Sequence, residues 1–152
     1  MRFDKDYNIA KIAIASRCGR KDSGADMASI KRVRVLCVDD NRDIADSEVL
    51  LLLSHGFHAI AVYSGEDALA VAATFRPDAC LVDLNLTGID GCEVARRLKS
   101  EHRGTPPLVI AVTARSGPEV LRRTGDAGFD GHLVKPVEPA LLLEILSRVD
   151  AM

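Results

Sequence analysis

From Val33 onward the chain alternates between short apolar blocks and longer amphipathic ones. The short blocks are Val33–Val38, Phe57–Val62, Ala79–Val82, Leu108–Val112 and Gly131–Val134, each of strand length, the first of them β-branched and apolar. The first longer block, Asp43–Ser54, has helix length with an apolar stripe through Ile44, Ala45, Leu51 and Leu52, and Gly56 follows as its stop. Ser64, with Asp67 three residues on, fits a capping box for a second helix bearing Ala68, Leu69, Ala72 and Phe75, closed by Pro77. Asp90 and Glu93 repeat that pattern ahead of a third helix with Val94, Ala95 and Leu98 on one side. Ser116 and Glu119 cap a fourth through Val120 and Leu121, which Gly128 ends. Pro139 opens the fifth, whose apolar face is Leu142, Ile145, Leu146 and Val149. Strands that are apolar at every position are buried on both sides. The pattern therefore predicts an α/β fold, a parallel five-stranded sheet covered by helices on both faces.

Residues 1–30 do not share this pattern. Arg17–Asp26 is polar, Gly-bearing and aperiodic, and reads as flexible; a short helix or strand over Tyr7–Ser16 has weak support. Met27 offers a second start just ahead of the first strand. Residues 1–30 are thus expected to be an extension or an upstream-extended start, and residues 31–152 the folded domain, which is long enough to bury a full core. No internal repeat or low-complexity tract is visible.

Composition adds less. A hydrophobic content of 47% with 28% charged residues is that of an ordinary globular protein, and a net charge of -2 gives no general attraction to nucleic acid. The charge is unevenly spread. Residues 1–30 carry six basic and four acidic side chains, leaving fourteen against eighteen in the remainder, an acidic excess that suits a cation site. Cys18, Cys37, Cys80 and Cys92 form no Cys-x-x-Cys pair and no zinc spacing with the histidines, and Cys37 and Cys80 lie inside strand blocks as small apolar residues. The expected setting is reducing and cytoplasmic. No apolar run approaches the ~18 residues of a membrane span, and Asp4 and Asp6 are out of place in a signal peptide.

The candidate chemistry gathers where strands end. Asp39 and Asp40 close the first strand, Asp83 the third, Thr113 the fourth and Lys135 the fifth. In a doubly wound sheet these carboxyl ends emerge on one edge, so the five side chains can share a crevice. Three crowded carboxylates favour a divalent cation. Oxygen ligands without His or Cys point to Mg²⁺, with Mn²⁺ or Ca²⁺ as alternatives. A lysine and a hydroxyl opposite them would complete a trap for a phosphoryl group, whose transfer depends on positioning and charge neutralisation.

The segments Val38-Asp-Asp-Asn41, Val82-Asp-Leu-Asn-Leu-Thr-Gly-Ile-Asp-Gly91, Val112-Thr-Ala114 and Leu133-Val-Lys-Pro136 together resemble a response regulator receiver domain, over about Val33 to Val149. The resemblance implies a flavodoxin-like three-layer sandwich with strand order 2-1-3-4-5 and five helices. It implies that Asp83 accepts a phosphoryl group from a histidine kinase or a histidine phosphotransfer protein. Asp40 and Asp83 would bind Mg²⁺ directly, with the backbone carbonyl of Asn85, and Asp39 mainly through water. Thr113 and Lys135 would hold phosphoryl oxygens, and Lys135–Pro136 would be a cis peptide. The chain departs from the family at two positions: Thr87 replaces the usual Pro, and His132 occupies the switch position where Tyr or Phe is common. His132 is expected to pack inward or outward as a switch, or to be a partly exposed strand residue. His55, His58 and His102 are expected at the surface or at helix ends. Asn85 and Arg115, each two residues beyond a site residue, fall where the family tunes attack of water on the phosphoryl group.

No output domain is expected after Met152 and no DNA-binding motif is visible, so the expected readout is a protein contact or homodimerisation through the fourth helix, fifth strand and fifth helix. Three other readings compete. A receiver acting as phosphate relay or sink beside a hybrid kinase uses the same residues. A haloacid-dehalogenase-type phosphohydrolase would carry Asp-x-Asp at its first strand end, whereas Asp39 and Asp40 are adjacent. A flavin module would need a Ser/Thr-rich phosphate loop after Val38, which the chain lacks.

Overall fold

The computed structural model describes residues 32–102, 104–115 and 117–149; the expectations for residues 1–30, including the Tyr7–Ser16 element, and Ser116 fall outside the described residues. Five strands, β1 (Arg34–Val38), β2 (His58–Val62), β3 (Ala79–Asp83), β4 (Leu108–Thr113) and β5 (Gly131–Val134), alternate with five helices. These are α1 (Arg42–Ser54), α2 (Gly65–Phe75), α3 (Gly91–Ser100), α4 (Pro118–Ala127) and α5 (Pro139–Leu146). The sheet order is β2-β1-β3-β4-β5, and every pairing is parallel.

Strand geometry explains the continuous apolar runs. Successive side chains point to opposite faces. Val35, Cys37, Leu81, Ile110 and Leu133 therefore join Leu52 of α1 and Leu142, Ile145 and Leu146 of α5 in one core. Leu36, Val38, Cys80, Val82 and Val109 join Ala68 of α2, Val94 and Leu98 of α3 and Phe129 in the other. β3 and β4 are buried at every residue, as the centre of a two-sided sheet requires.

Local signals set most helix boundaries. The Ser64 hydroxyl accepts from Asp67 N–H at 3.1 Å and the Asp90 carboxylate from Glu93 N–H at 2.9 Å. α1 begins one residue before its predicted start because Asn41 caps it, its side-chain oxygen accepting from Asp43 and Ile44 N–H. The fourth helix corrects the expectation of a side-chain cap. Its cap position is Gly117, at φ 126, without a side-chain cap bond. Pro118 follows at the first helical position, where the missing N–H removes one of the donors a cap would serve. α2 ends on Arg76 at φ 53, a left-handed conformation that non-Gly residues rarely adopt.

This topology brings the β1 and β3 carboxyl ends side by side at the point where the strand order reverses, the location of ligand sites in open α/β sheets. Gly91 fixes the loop between β3 and α3 there. A Cβ at Gly91 would lie 2.4 Å from the Asp83 carbonyl oxygen and 2.8 Å from Leu84 Cα, both backbone atoms that cannot swing aside. Gly91→Ala is expected to destabilise the fold by about 2–3 kcal/mol through overpacking. An unchanged midpoint in urea would show that the loop has room after all.

Candidate functional site

β1 delivers Asp39 and Asp40 to the sheet edge, β3 delivers Asp83, β4 Thr113, and the turn after β5 Lys135. Asp39, Asp83 and Thr113 are buried, whereas Asp40 is exposed at the mouth. Carboxylate oxygens of Asp39, Asp40 and Asp83 all lie within 4.8 Å of one another. The Lys135 ammonium reaches into this group, donating to Asp39 Oδ2 at 2.8 Å and to Asp83 Oδ2 at 3.2 Å. The strand-end residues are thus in one crevice, and the lysine lies nearer to Asp39 than to Asp83.

Backbone donors orient the acids. Asn41 N–H donates to Asp39 Oδ1 at 2.9 Å and Asn85 N–H to Asp83 Oδ1 at 3.1 Å. Thr113 is tied to the lysine through the main chain, since Lys135 N–H donates to the Thr113 carbonyl at 2.8 Å. Its hydroxyl accepts from Arg115 N–H at 3.2 Å. The Lys135–Pro136 bond is cis.

The electrostatics follow from burial and crowding. Burial raises the Asp83 pKa above the ordinary carboxyl value; the Asn85 N–H and Lys135 oppose the rise, and the Asp39 charge adds to it. Burial works against the Lys135 charge, but its hydrogen bond to Asp39 and the charges of Asp83 and Asp39 hold its pKa above the usual lysine value. All the acidic ligands are oxygen donors, and three carboxylates against one ammonium leave excess negative charge. This donor set fits Mg²⁺ or Mn²⁺.

His132 is inward and 3% exposed, so it is not a partly exposed strand residue. It faces Ala111 in the β4–β5 register, and its ring hydrogen-bonds the Arg115 backbone. Burial lowers its pKa. His55 caps the end of α1 and His58 is exposed, packing edge-on to Phe75. His102 is only half-exposed, and its Nδ1 is buried.

Sequence reasoning missed Glu48. It lies on α1 three residues after Ala45 and four before Leu52, both fully buried, so helical spacing alone turns it inward. Burial, then the charges of Asp39 and Asp83, raise its pKa to about 7 against the opposing effect of Lys135. A carboxyl raised in the folded state binds a proton that the unfolded chain has released. Stability contributed by Glu48 is then full below about pH 4.5 and falls as pH rises towards about 7. Glu48→Leu is expected to stabilise the protein by about 1–2 kcal/mol at pH 8, and by much less at pH 5. That scale follows from about 1.4 kcal/mol for each factor of roughly ten in proton affinity between the folded and unfolded chains, before solvent relaxation. Urea midpoints at the two pH values test this; equal gains at both would refute it.

Among the described residues no helix is long and apolar enough to cross a membrane. Cys37, Cys80 and Cys92 are buried free thiols, and burial raises the pKa of Cys37 and Cys80.

Comparison with known proteins gives consistent matches. Residues 35–147 match the family model of the response regulator receiver domain. The response regulator MprA of Mycobacterium bovis is 37% identical over 120 residues, which are 79% of this chain and 50% of that protein. The chain spans about half the length of the curated relatives it matches. Among solved structures, a CheY-like receiver domain protein of Methanospirillum hungatei superposes with a TM-score of 0.71 at 27% identity, over 77% of this chain and 92% of that one. The chemotaxis protein CheY4 of Vibrio cholerae gives 0.71 at 30% identity, over 78% and 99%.

Proposed function

This chain belongs to the response regulator receiver family, and from that premise we propose that it is a phosphoacceptor of two-component signalling with Asp83 as the acceptor. The observation that carries this reading is the convergence of Lys135 on Asp83 and Asp39 beside the exposed Asp40. A carboxylate held by a cation at a strand-end crevice can attack phosphorus in line. The donor is a phosphohistidine on a histidine kinase or a histidine phosphotransfer protein. A bond forms from an Asp83 carboxylate oxygen to phosphorus, the phosphorus–nitrogen bond breaks, and the histidine leaves with its lone pair to be protonated by solvent.

Asp39, Asp40, Asp83 and the Asn85 backbone carbonyl would hold Mg²⁺, which supplies neutralisation of the phosphoryl oxygens when bound. Lys135, already aimed at both buried acids, pairs with a further phosphoryl oxygen. The Thr113 hydroxyl accepts from Arg115 N–H and keeps its own hydrogen to donate to the phosphoryl group. Movement of Thr113 towards that group would carry Arg115 with it, and the Arg115 backbone also bonds the His132 ring. Thr113 and His132 together then act as the switch, biasing the loop before α4 and the face formed by α4, β5 and α5. Leu121 on α4 is a partly exposed apolar residue on which a partner protein or a second copy could dock. Water attack on the phosphoryl group resets Asp83, an autophosphatase step rather than turnover of a separate substrate. The place of action is the cytoplasm.

A second role, as relay or sink beside a hybrid kinase, uses the same acceptor. It differs in passing the phosphoryl group back to a histidine phosphotransfer protein. The test is incubation with phosphoramidate and Mg²⁺ followed by intact-mass measurement. One phosphoryl increment is expected, lost when EDTA replaces Mg²⁺. No increment under either condition would overturn the reading, and rapid loss of the label to an added histidine phosphotransfer protein would favour the relay.

A further inference from the structure

The amino-terminal edge of the sheet carries a second concave site, opposite the acidic crevice. β1 separates the two by its own length, roughly 16 Å for five residues. Between the carboxyl ends of α2 and α3 lies a cavity of about 590 Å³ whose charged lining is Arg34, Arg76, Arg97, Glu101 and His102. That is the size of pockets that hold drug-sized molecules. Leu69, Ala72 and Leu98 give it an apolar side.

Three independent features mark it as more than a crease. Arg76 is the only described non-glycine residue with positive φ, and it is held there by its N–H donating to the Ala72 carbonyl at 3.0 Å. Arg34 Nε donates to the Arg76 carbonyl at 3.1 Å, which draws two cationic side chains to one wall. Strained backbone of this kind persists where surrounding contacts over-determine it, and it collects at ligand sites. The cations are also incompletely balanced. Arg97 is engaged by Glu93 at 2.9 Å, but neither Arg34 nor Arg76 forms an ion pair among the described residues, and one acid, Glu101, lies in the lining. Finally, the His102 ring lines the same cavity, a third nitrogen-bearing group beside the two guanidiniums.

We propose that this cavity binds a small organic phosphate, with Arg34 and Arg76 on the phosphoryl oxygens, His102 as a further contact, and the apolar part of the ligand against Leu69 and Leu98. Guanidinium forks match phosphate oxygens in pairs; with Arg34 Nε taken by the Arg76 carbonyl, the Arg34 Nη donors and the Arg76 fork are the groups offered, and two such cations suit a dianion better than a single carboxylate. The site is distinct from the acceptor crevice and independent of the phosphorylation reading.

Phenyl phosphate is the probe, titrated into the full chain in EDTA and followed by backbone and imidazole NMR signals. Saturable shifts are expected at Arg76, Arg97 and the His102 ring, with a Kd of about 10⁻⁴–10⁻³ M and inorganic phosphate weaker by about tenfold or more because it lacks the apolar part. Arg76→Gln, exposed and safe for folding, should weaken binding by about tenfold, and Arg34→Gln by at least as much. Asp83→Asn should leave binding unchanged. Shifts centred on Asp83 and Lys135, equal binding by Arg76→Gln, equal affinity for inorganic phosphate, or no saturable shift would each overturn the proposal.

Discussion

Asp83→Asn is expected to take up no phosphoryl group from phosphoramidate and Mg²⁺ under conditions in which the unaltered chain shows one increment by intact mass. The amide matches the carboxylate in shape, so its oxygen can still accept from Asn85 N–H, the contact now made at 3.1 Å. What disappears is the nucleophilic oxygen beside Lys135. Neither remaining acid replaces it. Asp39 is buried with its oxygens taken by Asn41 N–H and Lys135, and Asp40 is exposed without a lysine contact. The same variant has a stability signature of opposite sign. Burial raises the Asp83 pKa, so the folded state holds the proton more tightly than the unfolded chain does. Stability from this group is complete below the unfolded carboxyl value near 4 and declines as pH rises through the folded one. Without a metal, Asp83→Asn should therefore be more stable than the unaltered chain at neutral pH and gain little near pH 3. Phosphoryl uptake by the Asn variant would remove Asp83 from its assigned role, and reduced stability in EDTA at pH 7 would contradict the crowding argument.

Much of this architecture is legible in the sequence because period and burial coincide. Ala79–Asp83 and Leu108–Thr113 are buried throughout, and an unbroken apolar run is what a central parallel strand must look like. The site is legible for the same reason: once the strands are parallel, their carboxyl ends share an edge, and Asp39, Asp83, Thr113 and Lys135 need no further information to meet. What escaped depends on tertiary contacts that no local pattern encodes. Whether His132 points in or out is decided by the β4–β5 register and the Arg115 backbone. Glu48 shares a helix face with Ala45 and Leu52 by spacing, but its approach to Asp39 and Asp83 is decided by how α1 lies on the sheet. Arg76 looks like an ordinary surface arginine before Pro77. The residue before proline is biased away from the right-handed helical region, and only the fold shows that it turned left-handed to reach Arg34.

Lys135→Met is expected to slow phosphoryl uptake at Asp83 by on the order of 100-fold, the scale for losing one preorganised group at a site of developing charge. Methionine keeps the length of the stem, so packing is largely preserved and the lost element is the ammonium. Its removal also leaves Asp39 and Asp83 facing each other beside Asp40 with no cation within hydrogen-bond reach. Removing one partner of a buried pair costs about 3–5 kcal/mol; with Lys135 itself 20% exposed, about 2–3 kcal/mol is the expected loss in EDTA. The pH dependence fixes the cause. Without the ammonium the two buried carboxyls hold protons more readily, so the deficit should shrink as pH falls from 7 towards 4, where they become neutral. Mg²⁺ should recover part of the stability at pH 7, because a divalent ion can take over neutralisation of the acids, but not the rate, because the cation that pairs with the transferred group is gone. Urea midpoints in EDTA and in Mg²⁺ at two pH values, with phosphoramidate kinetics by intact mass, separate these effects. A deficit unaffected by both Mg²⁺ and pH would point to lost packing by the lysine stem, and an unchanged rate of uptake would show that Lys135 does not act on the phosphoryl group.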